Sequence, residues 1–100
     1  MAKQVELSVN NLPIKLDYFV HEYLEKVVGG IIASLHDTGA IENLEMTMDN
    51  SGEVAIRLNG DDISLKEFPV QIIRSTIEGM VTPLKGVQGV INTVEIKISS

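Results

Sequence analysis

At an offset of 49 residues the chain repeats itself. Val5 falls on Val54, Asn10 on Asn59, Ile14 on Ile63 and Leu16 on Leu65. Further along, Phe19 falls on Phe68, Gly30 on Gly79, Leu35 on Leu84 and Asn43 on Asn92. Eight identities in the 39 positions from Val5 to Asn43 exceed the roughly two or three expected from average residue usage. Conservative matches keep the same phase, as in Leu7 with Ile56, Leu24 with Ile73, Val28 with Ile77 and Ile32 with Val81. One extra residue after the helix moves the offset to 50, pairing Glu45 with Glu95 and Met46 with Ile96. Two βαβ units resemble each other whenever they share physics. Asn10/Asn59 and Gly30/Gly79 are not generic core positions, however, and favour a duplication. With 100 residues there is no room for a second core of ordinary size. The reading is one domain over residues 1–100, made of internal repeats 4–49 and 53–99.

Each half has the same local grammar. Val5, Leu7 and Val9 alternate with Glu6 and Ser8, the pattern of a strand with one buried face. Asn10-Asn11 and Asn59-Gly60 supply turn chemistry, because Asn and Gly tolerate positive φ. Ile14-x-Leu16 and Ile63-x-Leu65 are short extended pieces, either hairpin return strands or lead-ins to helices. Asp17 suits the N-cap of the first helix, and Ser64 with Glu67 forms a capping-box pattern before the second. Gly39 and Pro83-x-x-Gly86 mark the helix ends. Leu44, Met46 and Met48 make a further strand, and Asp49-Asn50-Ser51-Gly52 turns it into the strand that begins at Val54. Val94, Ile96 and Ile98 form the last. Strands that are apolar on one face place both helices there, giving a two-layer α+β sandwich of βαββαβ order. The ferredoxin-like arrangement, with helices on one face of an antiparallel sheet, is the default topology for that order.

The composition excludes several classes of function. Eight Lys+Arg against 14 Asp+Glu give a net charge of −6, which argues against a sequence-independent grip on phosphate backbones. The outward strand positions carry no aromatic to stack bases, so no nucleic-acid partner is expected. The absence of cysteine removes disulfides, thiolate metal sites and cysteine nucleophiles. The longest apolar stretch, Val27 to Leu35, is shorter than the roughly 20 residues of a membrane span, and the N-terminal segment does not read as a signal peptide. A cytoplasmic domain with neither membrane partner nor cofactor is the expectation.

The helices hold more apolar surface than a sheet can cover. From Phe19 to Leu35 the apolar positions sweep an arc of roughly 220°, whereas a helix on a sheet needs a little over 100°. The second helix traces the same arc. Gly29, Gly30, Ala33 and, in the other half, Gly79 sit where the stripe widens. Either Gly30 and Gly79 let the two helices of one chain pass closely, or Gly29, Gly30, Ala33 and Gly79 mark a homodimer or partner interface.

Candidate chemistry is sparse. Asp17, His21 and Glu25 follow at i, i+4 and i+8, a spacing that can orient an imidazole or hold a metal. The matching positions in the other half are Lys66, Val70 and Arg74, so the repeat does not carry the constellation. His36-Asp37 at a helix end fits a dipole-capping role. Asp49, Ser51 and Glu53 alternate like the opening of a calcium loop, but Gly60 falls where the closing ligand belongs. Asp61-Asp62 reads as a solvated turn. The sequence therefore favours a non-catalytic binding or assembly module that self-associates or docks a protein partner through its helices. The alternative is a small ligand-binding protein or enzyme of the dimeric ferredoxin-like kind, with a pocket near His21, Asp17 or Tyr23.

Overall fold

The computed structural model describes residues 4–35, 41–51, 53–63, 65, 67–84, 86–87 and 89–99. His36, Asp37, Gly39, Gly52, Ser64 and the side chains of Leu35, Glu67 and Phe68 lie outside that description. In chain order the elements are β1 (Gln4–Val9), β2 (Leu12–Ile14), α1 (Tyr18–Leu35), β3 (Asn43–Met48), β4 (Val54–Leu58), β5 (Asp61–Ile63), α2 (Glu67–Val81) and β6 (Val94–Ser99). Two helices pack on one face of a six-stranded antiparallel sheet, an α+β fold of ββαβββαβ order.

Hairpin return strands follow each first strand, but at Leu12–Ile14 and Asp61–Ile63, so that of the Ile14-x-Leu16 and Ile63-x-Leu65 pieces only Ile14 and Ile63 are paired. Val9 pairs with Leu12 and Leu58 with Asp61, leaving two-residue loops at Asn10-Asn11 and Asn59-Gly60. All four loop residues have positive φ (52°, 66°, 50° and 88°). Positive φ at both central positions is the type I′ turn, whose twist matches that of the flanking strands. Pro13 sits in an edge strand, opposite Ser8, where a missing N–H breaks no central ladder.

These hairpins displace the ferredoxin-like order expected from the sequence. The sheet runs β2-β1-β6-β3-β4-β5. A ferredoxin-like sheet flanks its first strand on both sides with strands from the later half. Here β2 already occupies one side of β1, so β6 takes the only side left. Each βαβ unit is split by a strand of the other: β6 lies between β1 and β3, and β3 lies between β6 and β4. Leu7 pairs with Ile14 as Ile56 pairs with Ile63, both members displaced by 49. At the centre of the sheet Met46 faces Ile96, two residues 50 apart, so an approximate two-fold axis passes through that pair.

Alternation along the strands divides the two faces. Leu7, Val9, Leu44, Met46, Ile56, Leu58, Val94, Ile96 and Ile98 are among the residues buried on the helix side. The outward positions build a charge row by register: Glu6 beside Lys97, Lys97 beside Glu45, Glu45 beside Arg57, and Arg57 beside Asp62. The signs alternate across five strands. Opposite charges directly across a ladder contribute roughly 0.2–1 kcal/mol per pair. Arg57 Nε meets Asp62 Oδ1 at 3.2 Å, while Lys97 Nζ reaches along its own strand to Glu95 Oε1 at 3.9 Å. In a ferredoxin-like sheet the strands of Glu6 and Arg57 would be neighbours. They are not, and Asp62 of β5 stands on that side of Arg57.

The helices lie across the strands. α2 begins after β5 at one sheet edge, and its following loop reaches β2 at the other. There, a Cβ on Gly86 would stand 3.5 Å from Ile14 Cδ1. Six strands about 4.8 Å apart span roughly 24 Å, and 15 residues rising 1.5 Å each cover about 22 Å. Among the described residues, three buried side chains per helix hold it to the sheet: Leu24, Val28 and Ile32 of α1, and Ile73, Ile77 and Val81 of α2. The two trios are again 49 apart. The slab that results measures 35 × 34 × 18 Å.

Candidate functional site

The excess apolar surface of the helices stays open on the side away from the sheet. With Val28 facing the sheet, a 100° step per residue puts Phe19, Tyr23, Lys26, Gly30 and Ala33 on the opposite side of α1. All five are exposed. Phe19 keeps 70% of its surface accessible and Tyr23 49%, and their rings stack with centroids 5.6 Å apart. Beside them Tyr18, 80% exposed, donates its hydroxyl to Glu22 Oε1 at 3.2 Å. By sequence position the equivalent seam of the second half is Phe68, Ile72, Ser75, Gly79 and Thr82, the last just past the end of α2. Ile72 is 49% exposed, and Ser75, Gly79 and Thr82 are exposed as well. Both seams read large, large, polar, glycine, small.

The glycines do not let the helices of one chain cross. Among the described residues, a Cβ on Gly30 or Gly79 would meet nothing within 4 Å, and one on Gly29 would find only Ile41 Cδ1 at 4.0 Å. The close-crossing reading is therefore corrected: the helices lie side by side with open space over both glycines. A glycine inside a helix costs up to about 1 kcal/mol relative to alanine. Packing among the described residues supplies no reason for either.

Between the helices runs a groove of about 540 Å³, lined from α1 by Phe19, Val20, Tyr23, Leu24 and Val27. From α2 and its end it is lined by Ser75, Thr76, Gly79, Met80, Pro83 and Leu84. The first half of α1 thus lies beside the second half of α2, so the helices are antiparallel. Glycine at position 79 deepens the groove, because any side chain there would project into it. Its lining residues are mostly apolar, with the hydroxyls of Tyr23, Ser75 and Thr76 as polar points.

The Asp17–His21–Glu25 series is not assembled into a site. Asp17 Oδ1 accepts the Val20 backbone N–H at 2.9 Å, so this carboxylate is the N-cap of α1. No hydrogen bond or ion pair joins the His21 ring to Asp17 or Glu25. His21 is half-buried and lines a concavity of about 400 Å³ at the β1 edge, together with Glu6, Ser8, Leu16, Glu95 and Lys97. Tyr23 lies in the inter-helix groove instead, so the two residues do not converge. A concavity at the opposite edge has the matching lining, with Val54, Ile63 and Leu65 in place of Val5, Ile14 and Leu16. Among the described residues, no group of three acidic or histidine side chains is placed to hold a metal. Asp49 accepts hydrogen bonds from the Ser51 hydroxyl and backbone N–H, which hold its carboxyl below the usual range. That is the chemistry of a turn. Arg74 of α2 donates to the Asp49 carbonyl at 2.6 Å, tying the helix to this hairpin.

Asn10 and Asn59 prove to be clamps between the halves, a role their turn chemistry alone does not disclose. Asn10 Oδ1 accepts the N–H groups of Asn92 at 2.6 Å and Thr93 at 3.0 Å, and its Nδ2 donates to the Val90 carbonyl at 2.9 Å. Asn59 Oδ1 accepts those of Glu42 and Asn43, each at 2.9 Å. Each half thus fixes the entry to the other half's last strand. Among the described residues, no helix is long and apolar enough to cross a membrane. Compared with family models, with curated proteins and with solved structures, the chain gives no match.

Proposed function

We propose that the chain is a non-catalytic docking module, built from two tandem ββαβ units over residues 4–49 and 53–99, whose helix layer binds protein. One observation carries this reading. Gly30 and Gly79, helix positions that the halves share outside the core, are both exposed on the side away from the sheet, beside the exposed Phe19 and Tyr23 of α1 and Ile72 of α2. Aromatic side chains left in solvent beside a groove, with glycines over which no described residue packs, form an incomplete packing surface. The concavity at His21 supports an enzyme reading less well, since Asp17 is engaged as a cap and no polar network orients the imidazole.

The test is a photo-cross-linking amino acid placed at Tyr23, with the same group at Thr47 on the open sheet face as the comparison. In a lysate of the source cells, the Tyr23 position is expected to give discrete adducts of higher mass, to another protein or to a second copy. Thr47 is expected to give at least tenfold less. Adducts from Thr47 alone, or none from Tyr23, would remove the docking reading.

A further inference from the structure

Resting on that reading, we infer that the helix layer docks on the helix layer of a second copy of this chain, forming a four-layer sheet–helix–helix–sheet dimer. The argument is the order of sizes along each seam. α1 presents Phe19 and Tyr23 in its first half and Gly30 and Ala33 in its second, all exposed, with Lys26 between. A two-fold axis across the middle of the helix sets an antiparallel copy upon it, so that Phe19 meets Ala33 and Tyr23 meets Gly30. Large then meets small at the two outer levels, in both directions, and Lys26 meets its own copy at the central one. Such a surface is complementary to itself, as an isologous interface has to be.

The second helix makes the fit general. Its seam has the same order, and the two helices are antiparallel with Val27 and Thr76 on one groove. The axis that stacks α1 on its copy therefore stacks α2 on its copy as well. Stacking α1 on the partner's α2 would also set Tyr23 over Gly79. The open space above Gly30 and Gly79 is the room these aromatics need.

Area and charge agree. The broad side of the slab extends 35 × 34 Å, more than the roughly 800 Å² per partner buried in a standard stable interface. The chain holds 14 Asp+Glu, yet none of the ten seam positions is acidic. At the centre the Lys26 side chains of the two copies meet across the axis, each one turn from the Glu22 that accepts the Tyr18 hydroxyl.

Light scattering and sedimentation equilibrium on the purified full chain test this. The wild type is expected to dimerise in the micromolar range, and Gly30→Leu with Gly79→Leu is expected to weaken association on the order of 100-fold. Both leucines project into open space, so helicity and melting behaviour should persist. Tyr23→Glu, which touches no core position, serves as the second variant and should dissociate the dimer equally. A wild type that is monomeric to about millimolar concentration overturns the inference, as does a dimer indifferent to both variants. In either case the lysate cross-link shows which claim has failed: an adduct from Tyr23 to a different protein leaves the docking reading standing.

Discussion

Replacing Asn59 with alanine is expected to lower the unfolding free energy by about 2–4 kcal/mol. Two costs combine. The Glu42 and Asn43 N–H groups lose the Oδ1 acceptor they share at 2.9 Å, and alanine is forced into the left-handed region that Asn59 holds at φ 50°. Asn59→Gly separates them, since glycine keeps the backbone and deletes the side chain, and should cost about 1–3 kcal/mol. Asn10→Ala should behave in the same way, because its Oδ1 holds Asn92 and Thr93 at the entry to β6. Urea denaturation reads the effect as a fall in midpoint at constant slope. A loss under about 0.5 kcal/mol, the usual range for surface substitutions, would show that the clamps are incidental.

Ile77→Ala is expected to cost about 2–5 kcal/mol, a large part of the 5–15 kcal/mol that stabilises a typical domain. Ile77 is 0% exposed, the central member of the three buried residues that fix α2 to the sheet. Few contacts share the load in so thin a slab, and the cavity left beneath the helix has little means of collapsing. Ile72→Ala in the same helix is the control. It removes the same atoms from a side chain 49% exposed on the outer seam, and should change the stability of the monomer by about 0.5 kcal/mol or less. Equal losses at the two positions would mean that α2 is rotated from the orientation described. In the proposed helix-to-helix dimer, Ile72→Ala should act on association instead.

The elements were legible in the sequence because side-chain alternation and helical spacing act locally. Val5, Leu7 and Val9 announce a half-buried strand, and Asn59-Gly60 announces its turn. The strand order was not legible. Alternation says which face of a strand is dry, not which strand lies beside it, and the neighbour of β1 depends on whether three residues after a turn pair back. Once Leu12–Ile14 does so, β6 has one place to go. For the candidate site the limit is of another kind. Spacing gives the angle of Gly30 and Gly79 around their helices but not the distance between the helices, which separates a close crossing from an open face. Asp17, His21 and Glu25 share one side of a helix by spacing, yet the N-terminal turn needs an acceptor, and Asp17 is placed to supply it. Phe19 and Tyr23 read as part of a broad apolar arc. Only the narrow buried stripe of Leu24, Val28 and Ile32 shows that they belong to the outside.

Small-angle X-ray scattering on the purified chain tests most directly whether the helix layer is the interaction face. One copy has a radius of gyration of 12.7 Å and a short dimension of 18 Å. Two slabs stacked helix to helix about a two-fold axis are predicted to give about 16 Å at twice the mass. A dimer joined edge to edge through its sheets would give about 21 Å at that same mass. A value near 21 Å, or single-copy mass near 13 Å at every concentration, would contradict the account.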